Sequence, residues 1–140
     1  MGFFKFTRRS KYNNKKVEYD GMLFDSKKEK ERYVFLKKAE DDGLIYNLET
    51  QVKFVLIPAI REEYEEQLKT KTRMRTRTVQ KAITYTCDFR YIHNGEPVIE
   101  DVKSSPVQAS LDKCFCLKEK IFRWKYGFSI KRVYKSNQEI

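Results

Sequence analysis

Apolar and polar residues alternate along two stretches near the middle of the chain, separated by the dipeptide Asn94-Gly95. Alternation with period two puts successive side chains on opposite faces of a strand, and Asn-Gly is the favoured two-residue hairpin turn. Residues 85–91 and 98–103 are therefore predicted to pair as a β-hairpin. Both faces of its second strand carry apolar residues, as in an interior strand covered on both sides. Upstream, Ser26 followed by Glu29 has the signature of a capping box. It opens a helix predicted to run to about Asp42 and to stop at Gly43, with Tyr33, Leu36 and Ala39 or Glu40 on the face of Glu29. A strand is predicted within residues 44–57, where Gln51, Lys53 and Val55 share one face and Val52, Phe54 and Leu56 the other; Pro58 ends it. Ser104-Ser105-Pro106 marks the start of a second helix, which begins near Pro106 or Ser110, reaches about Lys125 and closes at Tyr126-Gly127. Its inner side is expected to carry Leu111, Phe115 or Cys114, Lys118 and Phe122 or Ile121. A last strand is predicted at residues 128–134, FSIKRVY. The resulting order, α-β-β-β-α-β, describes a small α/β domain with a mixed central sheet flanked by helices.

With 140 residues the chain makes one domain, placed at residues 19–135. Residues 1–18 read as a basic N-terminal arm that includes Arg8-Arg9 and Lys15-Lys16, with Phe3, Phe4 and Phe6 in it. Residues 136–140, SNQEI, read as a short tail without a role. No run is long and apolar enough to cross a bilayer, and the N-terminus lacks the features of a signal peptide. Cys87, Cys114 and Cys116 form neither a disulfide framework nor a metal spacing, which points to a reducing cytoplasm. His93 is the single histidine, so zinc sites and histidine triads are excluded.

Charge changes the picture more than size. The formal net charge is +10, from 30 basic and 20 acidic residues, and a domain this basic favours polyanions, nucleic acid above all. The basic residues are uneven. Within the insertion at about 61–81, an acidic run, REEYEEQ, precedes six basic groups without an acid: Lys69, Lys71, Arg73, Arg75, Arg77 and Lys81. Most of them alternate with threonine, so an extended segment would line them along one face and grip DNA phosphates. A β-arm, a loop that orders on nucleic acid and a solvated edge protected by charge are the three structures open to it.

Candidate chemistry lies at the end of the central hairpin. Asp101 and Lys103 flank Val102 and so point the same way, and cross-strand pairing brings Asp88 toward Asp101. Two aspartates offer hard oxygen ligands to Mg²⁺ or Mn²⁺, and Lys103 can stabilise negative charge developing on a phosphate. Glu29 adds a third carboxylate if the helix start approaches the hairpin. Close carboxylates repel, so their convergence would argue for a cation. Gln51 either orients a ligand or faces solvent. Glu100 points away from Asp101 and reads as a surface charge or a partner for a helix lysine.

These residues sit in phrases that occur in order from Tyr19 to Val133: YDGMLFDSKKEKERY, GLIYNLETQVKFVL, YTCDFRY, VIEDVKS and a lysine-rich helix ending KYG. In them the chain resembles the PD-(D/E)xK nuclease superfamily, and most closely its small phage and prophage proteins of the DUF1064 type, for which an endodeoxyribonuclease activity is expected. The resemblance implies a restriction-endonuclease-like core and metal-dependent hydrolysis of DNA phosphodiesters in phage or prophage recombination or replication, with branched DNA among the candidate substrates. It implies that Glu29, Asp88 and Asp101 hold the metal, that Lys103 is catalytic, and that Gln51 and Lys118 support the site. It also implies a bacterial host cytoplasm and makes a homodimer an expectation. Cys87 stands where the name of the superfamily has proline, and Ser104 stands where the DUF1064 pattern has glycine. A nucleic-acid-binding protein without catalysis, and a protein that grips an acidic protein partner, are the competing readings.

Overall fold

The computed structural model describes residues 15–140, so Phe3, Phe4, Phe6, Arg8 and Arg9 of the expected arm lie outside the described residues. A short hairpin of β1 (Val17–Tyr19) and β2 (Met22–Phe24) comes first. The arm expected through residue 18 thus already belongs to the fold at Val17.

Helix α1 (Lys27–Asp41) begins where the capping box places it, with the Glu29 N–H donating to Ser26 Oγ at 3.2 Å. Its end is a Schellman motif: Leu44 N–H reaches Ala39 O at 2.9 Å and Gly43 N–H reaches Glu40 O at 3.0 Å. Gly43 takes φ +76, which a residue with a Cβ adopts only at a cost.

Strand β3 (Tyr46–Ile57) leads into an interruption at Pro58 and then into β4 (Ile60–Gln67), which folds back as β5 (Thr72–Gln80). Strand β6 (Ile83–His93) then pairs with β3. The insertion is therefore a β-arm, a hairpin that extends the β3–β6 ribbon beyond the sheet, and every residue of β5 is exposed.

Strand β7 (Glu96–Val102) follows the Asn94-Gly95 turn, whose φ values of 51° and 79° are those of a type I′ turn. The second predicted helix is two: α2 (Pro106–Leu111) and α3 (Lys113–Tyr126). Asp112 breaks it, because its carboxylate caps α3 by accepting from Phe115 N–H at 3.0 Å. Leu111, expected on the inner side, is exposed at that break. The last strand is only β8 (Lys131–Val133).

The sheet order is β3-β6-β7-β8, antiparallel except for the β7–β8 pair, so the protein is α/β with a mixed sheet. Strand β7 lies between two apolar clusters. Val98 and Val102 pack on the cluster of Tyr33, Leu36 and Phe89 under α1, whereas Ile99 joins Tyr85, Cys87, Phe115 and Phe122 under α3. Burial on both faces fixes the direction of every side chain on β7, because a slip of one residue would exchange them all.

Two expectations are corrected. Glu100 is not a surface charge: it is fully buried and paired with Arg32 of α1, whose Nε donates to Oε2 at 2.8 Å and Nη2 to Oε1 at 2.5 Å. The pair is possible because Glu100 faces α1 from an interior strand. The tail also has a role. Arg32 Nη1 donates to the carbonyls of Ser136 and Gln138, Gln138 Nε2 donates to Arg132 O at 3.1 Å, and Ile140 packs on the α1 cluster.

Candidate active site

The β6–β7 ladder runs down to the pair Phe89 and Glu100. One step further the register would set Asp88 opposite Asp101. There the Asp88 side chain takes over, and its Oδ2 accepts the Val102 N–H at 2.7 Å. Its Oδ1 accepts from Gln51 Nε2 on β3 at 3.3 Å. Asp101 is 6% exposed and occupied on both oxygens: Tyr85 O–H donates to Oδ2 at 2.8 Å, and Lys103 Nζ stands 2.8 Å from Oδ1. The Lys103 ammonium also lies over the Phe115 ring, 3.8 Å from its centre. Asp101 and Lys103 share a face as the D-x-K spacing requires, while Val102 points into the α1 cluster.

The start of α1 closes this end of the sheet. Lys28 Nζ donates to Ser104 O at 3.0 Å and to Lys103 O at 3.4 Å, tying the helix to the end of β7. Glu29 Oε2 accepts from Asp25 N–H at 3.2 Å, so the capping glutamate reaches one residue beyond the Ser26 amide. Glu29 and Lys103 line an open groove of about 470 Å³ with Ser26, Ser104, Gln108 and Asp112.

The electrostatics of Asp88 record the crowding. Burial pushes its carboxyl up to about 8, and the charges of Asp101 and then Glu29 push the same way. The Val102 N–H and Lys103 act in the opposite sense and do not prevail. Burial raises the carboxyl of Glu29 as well, with Asp25 and Asp101 adding to it. Burial and the neighbouring Asp101 hold the Tyr85 hydroxyl protonated throughout the accessible pH range, so it remains a donor. Burial pushes the Cys87 thiol up to about 12, which keeps it inert.

Two aspartates and a glutamate are suitable donors for Mg²⁺ or Mn²⁺, and each carboxylate oxygen can accept more than the one bond it has here. Among the described residues, however, no three His, Cys, Asp or Glu side chains close into a ready cage. Charges act over longer distances than ligand bonds, so Glu29 is felt by Asp88 without joining it in such a cage.

A pH dependence follows. A carboxyl raised in the folded state binds more protons there than in the unfolded chain, so its contribution is greatest below pH 4 and is lost as pH rises through about 8. In EDTA, the Tm should include a component that falls between about pH 4 and pH 8 and levels off above, and Asp88→Asn should remove that component. Millimolar Mg²⁺ should restore stability at pH 8, because it binds the ionised native site. A Tm that responds identically to Mg²⁺ in Asp88→Asn would place the cation elsewhere.

Residues 9–138 match the family model described as "Protein of unknown function (DUF1064)". The chain belongs to the DUF1064 family. Comparison with curated proteins and with solved structures found no match.

The structure of this DUF1064 protein brings together Asp88, Asp101, Lys103 and Gln51, with Glu29 beside them. Lys118 is half-buried on α3, and its side chain takes part in none of the hydrogen bonds or ion pairs found among the described residues. Lys69 and Lys71 sit at the tip of the arm, Arg73, Arg75 and Arg77 on β5, and Lys81 at its root. Sequence reasoning missed Tyr85, which orients Asp101, and Lys28, which anchors the helix start. A buried tyrosine needs a partner for its hydroxyl, and that need is the signal which could have found Tyr85.

Gln51 carries a further signal. It sits within β3 at φ +53, a left-handed conformation that costs a side-chain-bearing residue about 1 kcal/mol or more, and it hydrogen-bonds Asp88. Gln51→Gly should raise unfolding free energy by roughly 0.5–1 kcal/mol while weakening whatever Asp88 does. Denaturant unfolding checks the first effect. A destabilised Gln51→Gly protein would mean that the backbone there is not strained.

Proposed function

We propose that this DUF1064 protein is a metal-dependent endodeoxyribonuclease built on a restriction-endonuclease-like core of the PD-(D/E)xK type. The observation that carries the reading is the state of Asp88: a half-buried carboxyl crowded by Asp101 and Glu29, in a domain with a formal charge of +10. Repulsion of that kind is relieved by a cation, and strongly perturbed ionisable groups cluster at functional sites. The element order supports the same reading, since α1-β3-β6-β7-α3-β8 repeats α-β-β-β-α-β once the hairpins β1–β2 and β4–β5 and the short helix α2 are set aside.

In this reading Asp88 and Asp101 hold Mg²⁺ or Mn²⁺, and Glu29 supports the shell from the start of α1. The bound cation supplies Lewis acidity at a phosphate oxygen and lowers the pKa of a water. Tyr85 keeps Asp101 in one orientation by donating to Oδ2, and Gln51 does the same for Asp88 at Oδ1. Lys103, held by Asp101 and backed by Phe115, is aimed at the substrate phosphate, where its ammonium stabilises the charge that develops during attack. The oxygen of water forms the new bond to phosphorus, one P–O ester bond breaks, and the departing oxygen takes a proton. Phage or prophage recombination or replication is the setting we assign to such an activity, in the cytoplasm of a bacterial host.

A binding-only role is the second reading. It is favoured by the formal charge of +10 and by the exposed basic strand β5, which attract a polyanion without any catalytic step. Labelled linear, flapped, gapped and four-way DNA incubated with Mg²⁺, Mn²⁺ or EDTA separates the two. Cuts that require the metal and depend on DNA shape are expected. Salt-dependent binding with no cuts in either metal would replace the nuclease with the binding protein.

A further inference from the structure

The arm holds an arrangement that the order of its charges conceals. Pairing β4 with β5 sets Glu62 opposite Arg77, Tyr64 opposite Arg75 and Glu66 opposite Arg73, all on one face. Glu66 Oε2 accepts from Arg73 Nε at 2.5 Å and its Oε1 from Arg75 Nη1 at 3.0 Å, while Glu62 Oε2 accepts from Arg77 Nη2 at 3.4 Å. The Arg77 guanidinium also lies over the Tyr64 ring, 5.4 Å from its centre. The row of guanidinium groups that should grip phosphate is thus already filled by carboxylates of the same hairpin.

We infer that the arm is a self-masked DNA-binding surface, in which Glu62 and Glu66 occupy Arg73, Arg75 and Arg77 until phosphates of duplex DNA displace them. The inference rests on the reading that this protein acts on DNA, and it adds how the basic face is regulated.

Three observations support displacement over a purely structural zipper. The pairs are open to water: the side chains of Arg73, Arg75 and Arg77 are 48%, 49% and 63% exposed. Exposed pairs are weak, and a phosphate offers a guanidinium the same two-oxygen geometry as a carboxylate. The three guanidinium groups face only two carboxylates, so the face keeps a surplus positive charge. Lys69 and Lys71 stand exposed at the tip, where Leu68 N–H closes the turn on Lys71 O at 2.8 Å, and can meet DNA before the row opens. The masking also gives selectivity, because a weak or isolated anion displaces one carboxylate at most, whereas a DNA backbone presents phosphates in series.

The same strand contains its own control. Glu63 and Glu65 pair with Thr76 and Met74 on the opposite face. Neutralising them changes the net charge by the same amount without uncovering the arginines. The experiment measures the Kd of the full chain for a labelled random-sequence duplex by fluorescence anisotropy, in EDTA, from 50 to 300 mM salt. EDTA removes cleavage from the readout, so the outcome does not depend on whether the carboxylate site is a nuclease. The E62Q/E66Q variant should bind about ten-fold tighter than wild type at 100 mM salt, since releasing each exposed pair is worth a few-fold at most. The E63Q/E65Q variant should gain less than about three-fold, as a remote charge change screened by salt. The K69A/K71A variant should bind more weakly, with a salt slope shallower by about 1.8. Equal gains in the two glutamine variants would reduce the effect to net charge and overturn masking. Unchanged or weaker binding by E62Q/E66Q would mean that its glutamates only hold the ribbon together. Unchanged binding by K69A/K71A would remove the arm from the DNA interface.

Discussion

Asp101→Asn should abolish metal-dependent DNA cleavage and leave DNA binding within about two-fold. The asparagine keeps the shape of the side chain, and its oxygen can still accept the Tyr85 hydroxyl that now stands 2.8 Å from Oδ2. The negative charge is lost, and with it the proposed hard metal ligand and the ion pair with Lys103. Losing charge stabilisation at one catalytic position commonly costs about 10²–10³-fold, and losing the metal as well takes the rate to background. DNA affinity should persist because the surface proposed to meet DNA lies elsewhere, in the arm. The variant should fold, and removing one of the mutually repelling carboxylates should bring the carboxyl of Asp88 down. Cleavage retained at the wild-type rate would remove Asp101 from the catalytic site.

Arg32→Ala should destabilise the protein by about 3–5 kcal/mol in denaturant unfolding, the usual cost of breaking a buried ion pair from one side. Arg32 and Glu100 are both fully buried, and Tyr91 O–H adds a hydrogen bond of 2.5 Å to Glu100 Oε1. Without the guanidinium, the Lys131 ammonium, 3.9 Å away, is the charged partner left to Glu100 among the described residues. The carbonyls of Ser136 and Gln138 lose their donor too, so the C-terminal residues should become quick to exchange amide hydrogen. An apolar triple variant, Arg32→Met with Glu100→Leu and Tyr91→Phe, should recover part of the loss, since it strands no charge in the core. A cost below 1 kcal/mol for Arg32→Ala would show that Glu100 is solvated after all.

The central hairpin was legible because period two, an Asn-Gly turn and flanking β-branched residues all agree along one short stretch. The placement of Asp88, Asp101 and Lys103 follows from that register alone. Arg32 and Glu100 were not legible, because charged residues are seldom buried and only the sheet order reveals that β7 faces α1 from the interior. Asp112 split a helix that periodicity alone runs through, since the pattern of Phe115 and Phe122 carries no record of where the first turn is capped. The arm was legible as a row of basic residues but not as a charge-paired ribbon. Its register decides that Glu62 and Glu66, rather than Glu63 and Glu65, share the face of the arginines. Gln51 could be placed on its face by alternation, whereas its left-handed backbone depends on the tertiary contact with Asp88 and leaves no sign in the sequence.

The central claim is that Asp88 and Asp101 form a metal-dependent hydrolytic site, and the most direct measurement is the single-turnover rate of DNA cleavage. Wild-type and Asp101→Asn protein, purified side by side, would be compared in Mg²⁺ and in EDTA. Wild-type protein in Mg²⁺ should cleave, and none of the other three conditions should yield product. Equal cleavage by both proteins, or cleavage by the wild type that EDTA does not stop, would contradict the claim.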